Sequence, residues 1–253
     1  MITRRIIPSL LLKNRGLYKT VKFKKPSYIG DPINAIKIFN EKEVNELMVL
    51  DIEASKLGKE PDYKMIENFS SECFMPLTYG GGIKKLKEAE KIFKLGVEKI
   101  LVQAAILENS MFLRELVDNF GSSSIVASLD IKKNIFGKPK VFSHSGQKNH
   151  HFSSIDEYIK LLNDFDVGEV LFNDVDLDGT MLGQNLNLIK YISDRINSPL
   201  ISLGGIGSNS DIKESFEHGA NAVAAGAFFV YHGPHRAVLI NYPDPIKIEE
   251  LIS

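Results

Sequence analysis

The 253-residue sequence predicts an α/β protein, a single (β/α)8 TIM barrel covering residues 1–253. Short apolar runs, typical of parallel strands buried on both faces, recur eight times along the chain. Amphipathic segments follow most of them, with apolar residues three and four positions apart and a glycine just beyond the end, as in helices. An open doubly wound sheet is the alternative, but eight such units in about 250 residues favour a closed barrel.

The predicted strands read, in chain order, RIIPSLL, ELMVLDI, MPLTYG, KILVQA, SIVASLD, EVLFND, PLISLG and AVAAG. Helical segments such as IKKLKEAEKIFKLG and SNSDIKESFEHG lie between them. Two connections, residues 12–30 after the first strand and 131–152 after the fifth, are longer than ordinary βα loops. Because both follow the carboxyl ends of strands, where barrel active sites lie, we expect them to be lids or binding loops.

The chain also contains an internal repeat. GGIKKLKEAEKIFKLGVEKILVQAA, from Gly81, aligns without a gap with GGIGSNSDIKESFEHGANAVAAGAF, from Gly204, 123 positions later. Further equivalent pairs are Glu46 with Glu169, Asp51 with Asp174 and, at an offset of 119 near the N-terminus, Leu11 with Asp130. We therefore expect two similar half-barrels, at about residues 1–120 and 121–253, that share one central site.

Composition excludes several classes of protein. A net charge of −1 gives no basic balance that would indicate nucleic acid as a partner. The single cysteine, Cys73, excludes an intramolecular disulfide and a multi-cysteine metal site, and it reads as a core or surface thiol rather than a nucleophile. No stretch approaches the ~20 apolar residues of a membrane span, and no signal-peptide profile is visible. We expect a cytoplasmic protein that has no membrane partner.

Glycine-rich turns between strands and helices predict two phosphate sites. Glycine lets the backbone approach a ligand closely, and the N–H groups that follow point at it. The predicted residues are Gly204, Gly205, Gly226 and Ala227 at one site, and Gly81, Gly82, Gln103 and Ala104 at the other. Glycines of this kind can also serve only to turn the chain. Two sets in register, at barrel positions where phosphate recurs, favour a ligand with a phosphate at each end.

Asp130 is the strongest candidate for acid–base chemistry, because it ends the fifth strand and should point into the mouth. A structural role is the alternative. Further strand-end carboxylates are Asp51, Asp174, Asp176 and Asp178, of which Asp178 opens a turn and is suited to holding a loop. The histidines at 144, 150, 151, 232 and 235 are scattered over predicted loops, so we expect neither a metal nor a cofactor.

Taken together, these motifs resemble the HisF family, the cyclase subunit of imidazole glycerol phosphate synthase, over essentially the whole chain. The matching segments are RRII at the start, GDP at 30–32, LDI.AS at 50–55, GGGI at 80–83, FG at 120–121, FSHSGQKN at 142–149, DGT at 178–180 and the second GGIG. The resemblance implies a barrel that binds a substrate with two phosphates at its C-terminal face. It also implies a heterodimer with a HisH-like glutaminase, which docks on the N-terminal face.

In this family, ammonia crosses the barrel core, and cyclisation yields imidazole glycerol phosphate and an aminoimidazole carboxamide ribotide. The resemblance implies that a ring of Arg5, Glu46, Lys99 and Glu169 gates the ammonia path, although such a ring can also be a purely structural closure of the barrel. It further implies substrate contacts for Lys19, Asp178 and Gly179. The family's acid–base pair ends strands 1 and 5. Here the second member is Asp130, and Leu11 replaces the first.

Other mouth positions also depart from the family pattern. They are Gln103 and Ala104, Ala227, Asn173, Glu53 and the segment 230–243. Three hypotheses follow. The first is a diverged paralogue that passes ammonia to a sugar amidotransferase in lipopolysaccharide or other surface-polysaccharide synthesis, a branch that LLLKNRGLYKTVKF also resembles. The second is a working cyclase of histidine biosynthesis that tolerates Leu11. The third is a non-catalytic scaffold that only activates a glutaminase.

Overall fold

The computed structural model describes residues 4–143, 152 and 154–252, and it contains a closed parallel barrel. The strands are β1 (Arg5–Lys13), β2 (Gly16–Val21), β3 (Lys24–Gly30), β4 (Leu47–Asp51), β5 (Leu77–Gly80), β6 (Lys99–Val102), β7 (Ile125–Lys133), β8 (Pro139–Val141), β9 (Glu169–Asp174), β10 (Leu200–Leu203), β11 (Ala222–Ala225), β12 (Tyr231–His232) and β13 (Ala237–Val238). Eight of them form the barrel in the order β1-β4-β5-β6-β7-β9-β10-β11, and parallel pairing of β11 with β1 closes it. The predicted fold is confirmed.

The helices pack around the outside of this barrel. They are α1 (Pro32–Glu41), α2 (Ala54–Leu57), α3 (Tyr63–Glu72), α4 (Leu86–Lys94), α5 (Ala104–Glu108), α6 (Met111–Phe120), α7 (Ile155–Asp164), α8 (Leu186–Ser193), α9 (Asn209–Glu217), α10 (Ala227–Val230) and α11 (Pro245–Ile252). Their starts follow capping rules. Asp31 accepts a hydrogen bond from the N–H of Asn34 at 2.9 Å, and Pro32 occupies the first turn of α1.

Strand residues alternate between the barrel interior and the layer facing the helices, because successive side chains of a strand point to opposite faces. The interior layer is a small apolar cluster that includes Ile7, Met48, Val126, Leu171 and Ile201. A larger cluster fills the space between strands and helices. This alternation places Ser9 and Leu11 on the interior side of β1, at its carboxyl end.

Both long connections contain antiparallel strands, and their role as lids or binding loops stays a prediction. β1 overruns the barrel and pairs antiparallel with β2, which pairs in turn with β3. Both turns of this meander carry two consecutive non-glycine residues at positive φ, namely Asn14 (48°) and Arg15 (61°), then Lys22 (54°) and Phe23 (59°). Two-residue turns of this geometry usually contain glycine, so the usual hairpin signal is missing from the sequence.

The second long connection behaves similarly where it is described. β7 runs on to Lys133 and pairs antiparallel with β8, with Ile131 opposite Val141. Residues 144–151 and 153, with three of the predicted loop histidines and most of the FSHSGQKN motif, lie outside the described residues. In the part of the chain that is described, no helix is both long enough and apolar enough to span a membrane.

Candidate functional site

A pocket opens at the carboxyl ends of the barrel strands, and it brings together every predicted catalytic and substrate residue. These are Lys19, Gly81, Gly82, Gln103, Ala104, Asp130, Asp178, Gly179, Gly204, Gly205, Gly226 and Ala227. Leu11 lines the same pocket. The four predicted gate residues lie at the opposite end of the barrel, at the amino ends of the strands.

Asp130 is buried at the carboxyl end of β7, with 8% of its surface exposed. Burial raises its pKa to about 7, and the negative charge of Asp178 acts in the same direction. Hydrogen bonds from Ser128 and Gln103 oppose this rise, and Ser128 Oγ lies 3.0 Å from Asp130 Oδ1. A carboxyl group poised near neutrality can both take up and release a proton, which suits general acid–base catalysis.

Lys19 extends from β2 into the pocket and is almost completely buried. Its Nζ donates a hydrogen bond to the carbonyl of Ser9 at 2.6 Å. Burial lowers the pKa of Lys19, and the charge of Asp178 opposes that effect. Burial also raises the pKa of Asp178, which accepts a hydrogen bond from Thr20 Oγ1 at 3.3 Å. Lys19, Asp130 and Asp178, three buried side chains of the pocket, therefore all have shifted pKa values.

Leu11 occupies the position on β1 that the repeat makes equivalent to Asp130 on β7. The equivalence extends two residues back, because Ser9 matches Ser128 at the same offset of 119. Ser128 donates a hydrogen bond to its acid, whereas the buried Ser9 hydroxyl finds no partner among the described residues. The β1 side of the mouth therefore keeps the supporting serine and lacks the acid that it would support.

The predicted phosphate loops contain glycines for reasons that require no ligand. Gly81 (φ 125°) and Gly204 (φ 97°) both lie in the left-handed region, which favours glycine. A Cβ on Gly204 would lie 2.7 Å from Asn173 Oδ1, and one on Gly81 would lie 2.6 Å from the carbonyl oxygen of Asp51. The chain-turning interpretation of these glycines therefore has physical support, and phosphate binding stays a prediction.

Gly226 differs from these positions, because its φ of −109° is open to any residue. A Cβ there would lie 2.2 Å from the Nζ of Lys19. Glycine at this position makes room for the buried amine, and Ala227 follows as the first residue of α10.

The other strand-end carboxylates hold loops. Asp51 Oδ1 accepts hydrogen bonds from the N–H groups of residues 53 and 54 at 2.9 and 3.0 Å, at the start of α2. Asp174 accepts one from Asp176 N at 3.0 Å and one from Asn185 Nδ2 at 3.2 Å. Burial raises the pKa of both Asp51 and Asp174. Of the two, only Asp51 lines the pocket.

At the other end of the barrel, Arg5, Glu46, Lys99 and Glu169 form a closed ring of alternating charge. Arg5 pairs with Glu46 and, at 2.6 Å, with Glu169, and Lys99 lies 3.2 Å from both glutamates. Glu46 is the most deeply buried member and accepts a further hydrogen bond from Thr78 at 3.0 Å. The ring closes the amino end of the barrel interior.

Sequence reasoning missed two groups that shape the site. Ser128 donates a hydrogen bond to Asp130. It lies two residues earlier on the same strand and therefore on the same face, and this spacing is the sequence signal that could have identified it. Phe23 lines the pocket from the turn between β2 and β3, and no sequence signal placed it there. Cys73 lies near the amino end of β5, away from the pocket, and burial raises its pKa to about 11, which disfavours a nucleophile.

Metal binding receives no support in the described part of the chain, where no group of three or more His, Cys, Asp or Glu side chains could hold an ion. Three of the predicted loop histidines fall outside that part.

Comparison with known proteins identifies the family. The profile of the family described as "Histidine biosynthesis protein" matches residues 5–235. The chain is 50% identical over 250 residues to a Pseudomonas aeruginosa protein named "Putative imidazole glycerol phosphate synthase subunit hisF2", covering 98% of this chain and 99% of that one. It is 46% identical to the corresponding "hisF3" protein of Vibrio vulnificus, covering 100% and 98%. It is 34% identical to "Imidazole glycerol phosphate synthase subunit HisF" of Pyrococcus furiosus, covering 91% of each. The chain belongs to the HisF family of imidazole glycerol phosphate synthase subunits.

Proposed function

We propose that this chain is the synthase subunit of a glutamine amidotransferase. It receives ammonia from a HisH-like glutaminase docked on its N-terminal face, and it uses or delivers that ammonia at a phosphate-binding C-terminal face. The observation that carries the proposal is the contrast between the two ends of the barrel. The charged ring at the amino end is complete, whereas at the carboxyl end Leu11 stands at the β1 position equivalent to Asp130, and the Ser9 hydroxyl has no hydrogen-bond partner among the described residues.

Leucine in place of an acid at the mouth favours a different acceptor for the ammonia. Two carboxyl groups with separate roles are a recurring solution for acid–base work, and each general acid or base contributes ~10²–10⁴-fold to the rate. Leu11 can neither move a proton nor orient an amine, so the cyclisation of the histidine pathway should be slow here. We therefore propose that the chain supplies ammonia to a sugar amidotransferase for surface-polysaccharide synthesis.

A second candidate is the full cyclase of histidine biosynthesis, forming imidazole glycerol phosphate and aminoimidazole carboxamide ribotide. The chemistry that remains in the pocket favours it. Asp130 keeps a pKa near 7, Lys19 and Asp178 remain buried beside each other, and all the predicted phosphate glycines line the same pocket. In this case another group, such as Asp51 or a water molecule, must replace the missing acid.

The ammonia-dependent cyclase assay separates the two candidates. Purified wild-type protein and the Leu11→Asp variant are given the two-phosphate ribulosyl precursor and an ammonium salt, and formation of imidazole glycerol phosphate is measured. We expect wild-type turnover to lie ~10²–10⁴-fold below that of an ordinary HisF, and Leu11→Asp to recover part of that loss. Wild-type turnover equal to that of an ordinary HisF would contradict the proposal that the function has changed.

The matched control is Leu11→Asp combined with Ser9→Ala. Because Ser9 stands where Ser128 supports Asp130, the new carboxylate should need the Ser9 hydroxyl. The double variant should therefore recover less activity than Leu11→Asp alone.

A further inference from the structure

Three antiparallel extensions rise from the barrel mouth, and we call them the rim hairpins. They comprise residues 12–30 with β2 and β3, residues 131–141 with the end of β7 and β8, and residues 231–242 with β12 and β13. All three are fastened to the loop that follows β9, because Lys22 N donates to Asp178 O at 2.9 Å, Lys133 N to Asp176 Oδ2 at 2.8 Å, and Arg236 Nη2 to Thr180 O at 3.0 Å. They therefore form one continuous surface.

The charge of this surface is one-sided. The rim hairpins contain eleven of the 31 lysines and arginines of the chain and none of its 32 aspartates and glutamates. The basic residues are Lys13, Arg15, Lys19, Lys22, Lys24, Lys25, Lys132, Lys133, Lys138, Lys140 and Arg236. Lys19 is buried in the pocket, Lys13 and Arg15 pair with Glu53 and Asp62 outside the hairpins, and most of the others face solvent.

The same surface displays large apolar side chains. Ile135 and Phe136, at the tip between β7 and β8, are 93% and 79% exposed. Their turn is ordered by Asn134, whose Oδ1 accepts hydrogen bonds from the N–H groups of Phe136 and Lys138 at 2.9 and 3.0 Å. Other strongly exposed apolar residues here are Tyr28, Val238 and Leu239, with Leu182 on the loop that follows β9. Grouped apolar exposure with a polar rim is typical of protein–protein interfaces.

We propose that the rim hairpins dock the enzyme that consumes the ammonia, through a contact face on that enzyme with an apolar centre and an acidic border. The inference rests on the proposed function, because it concerns the place where ammonia leaves the barrel. In water near neutral pH ammonia is largely protonated and loses its nucleophilic lone pair. A partner that covers the mouth keeps ammonia unprotonated during transfer. A lipid surface or a nucleic acid does not consume ammonia, so neither would benefit from such a contact.

Site-specific photo-cross-linking in cells that produce the complete chain tests the docking surface. A benzophenone amino acid replaces Phe136 in one variant and Phe74 in another. Phe74 is 87% exposed and precedes β5, so it lies on the opposite, N-terminal face. Mass spectrometry of the adducts should identify an ammonia-consuming amide- or amidine-forming enzyme at position 136 and a glutaminase at position 74.

Cross-linking at positions 136 and 74 tests the docking surface and the proposed function separately. A glutaminase at 74 with no protein adduct at 136, or with the glutaminase at both, would overturn the docking surface and leave the proposed function standing. An ammonia-consuming enzyme at 136 with no glutaminase at 74 would support the docking surface and contradict the proposed ammonia source.

Binding of the identified enzyme, measured by calorimetry, then tests the charge argument. Lys138→Glu with Lys140→Glu should weaken binding at least ~10-fold, and the loss should shrink as salt rises. Lys64→Glu with Lys94→Glu, on exposed positions of α3 and α4, is the matched control and should leave the dissociation constant unchanged. Equal effects of both pairs, or tight binding of the wild type to phosphatidylglycerol vesicles alone, would overturn the proposal.

Discussion

At the scale of single residues, the two sides of the mouth differ by one carboxyl group. Ser128 and Asp130 form a hydrogen-bonded pair on β7, and Ser9 and Leu11 occupy the equivalent positions on β1. A buried hydroxyl without a partner costs free energy, roughly 1–3 kcal/mol for a donor or acceptor left unsatisfied. The Ser9 hydroxyl therefore needs a polar ligand, a water molecule or an acid beside it, and Leu11 supplies none of these.

The raised pKa of Asp130 makes stability depend on pH. Between the ordinary aspartate value and about 7, the folded protein holds a proton at Asp130 that the unfolded chain has released. The folded state binds more protons in this window, so the free energy of unfolding falls as pH rises through it. Above pH 7 the folded protein contains a buried charge, and its full desolvation cost is present.

Asp130→Asn should therefore be more stable than the wild type at pH 8, by roughly 1–4 kcal/mol, and the difference should shrink toward pH 4. Urea unfolding of both proteins from pH 4 to pH 9 measures this. The control is Asp164→Asn, at an exposed position near the end of α7, which should show the same small difference at every pH. A constant difference for Asp130→Asn as well would contradict the raised pKa.

At the scale of elements, β2 matters because it carries a buried amine into the pocket. Lys19 reaches the carbonyl of Ser9, and this arrangement needs the empty space beside Gly226. The hairpin thus depends on a residue at the end of β11 more than 200 positions later in the chain.

Gly226→Ala should lower the free energy of unfolding by roughly 1–3 kcal/mol, because the new methyl group displaces Lys19 from its hydrogen bond. The backbone conformation at Gly226 accepts alanine, and the nearest backbone atom to the new methyl group would be the carbonyl oxygen of Ser9 at 3.1 Å. Urea unfolding measures the loss, and the same substitution in a Lys19→Ala background should cost little. An equal cost in both backgrounds would show that the methyl group acts on the backbone and not on Lys19.

The barrel strands could be predicted from the sequence, whereas the extra hairpins could not. Strands such as SIVASLD are continuous apolar runs, because the barrel buries them on both faces. β2 (GLYKTV) and β3 (KKPSYIG) are not continuous apolar runs, and their turns at Asn14–Arg15 and Lys22–Phe23 lack the glycine that usually marks a hairpin. Most predicted site residues meet in one pocket because they follow the carboxyl ends of barrel strands, whereas Lys19 and Phe23 come from a hairpin that the sequence does not indicate.

At the scale of the whole molecule, the closed ring at the amino end joins distant parts of the chain. Glu46 and Glu169 come from β-strand starts 123 residues apart, and Arg5 and Lys99 bridge them. The division into half-barrels at about 1–120 and 121–253 stays a prediction, and the parallel behaviour of β1 and β7, which both overrun the barrel, agrees with it.

Glu46→Ala should destabilise the protein by roughly 3–5 kcal/mol, because removing one partner leaves Arg5, Lys99 and Thr78 without their shared acceptor. Urea unfolding of Glu46→Ala measures this effect. Glu67→Ala, which breaks an exposed pair with Lys64 on α3, is the control and should change stability by less than about 1 kcal/mol. A loss at Glu46 no larger than at Glu67 would mean that the ring contributes little to the fold.

The one-sided charge of the rim hairpins also gives the molecule a direction. Outside them the chain carries 20 lysines and arginines against 32 aspartates and glutamates, so a net charge of −1 conceals two large opposite contributions. An acidic surface therefore attracts the rim hairpins and repels the rest of the chain, which carries twelve more negative than positive side chains. In the field of an acidic surface such a molecule turns mouth-first before any contact forms, so the first encounter already has the orientation of the final complex.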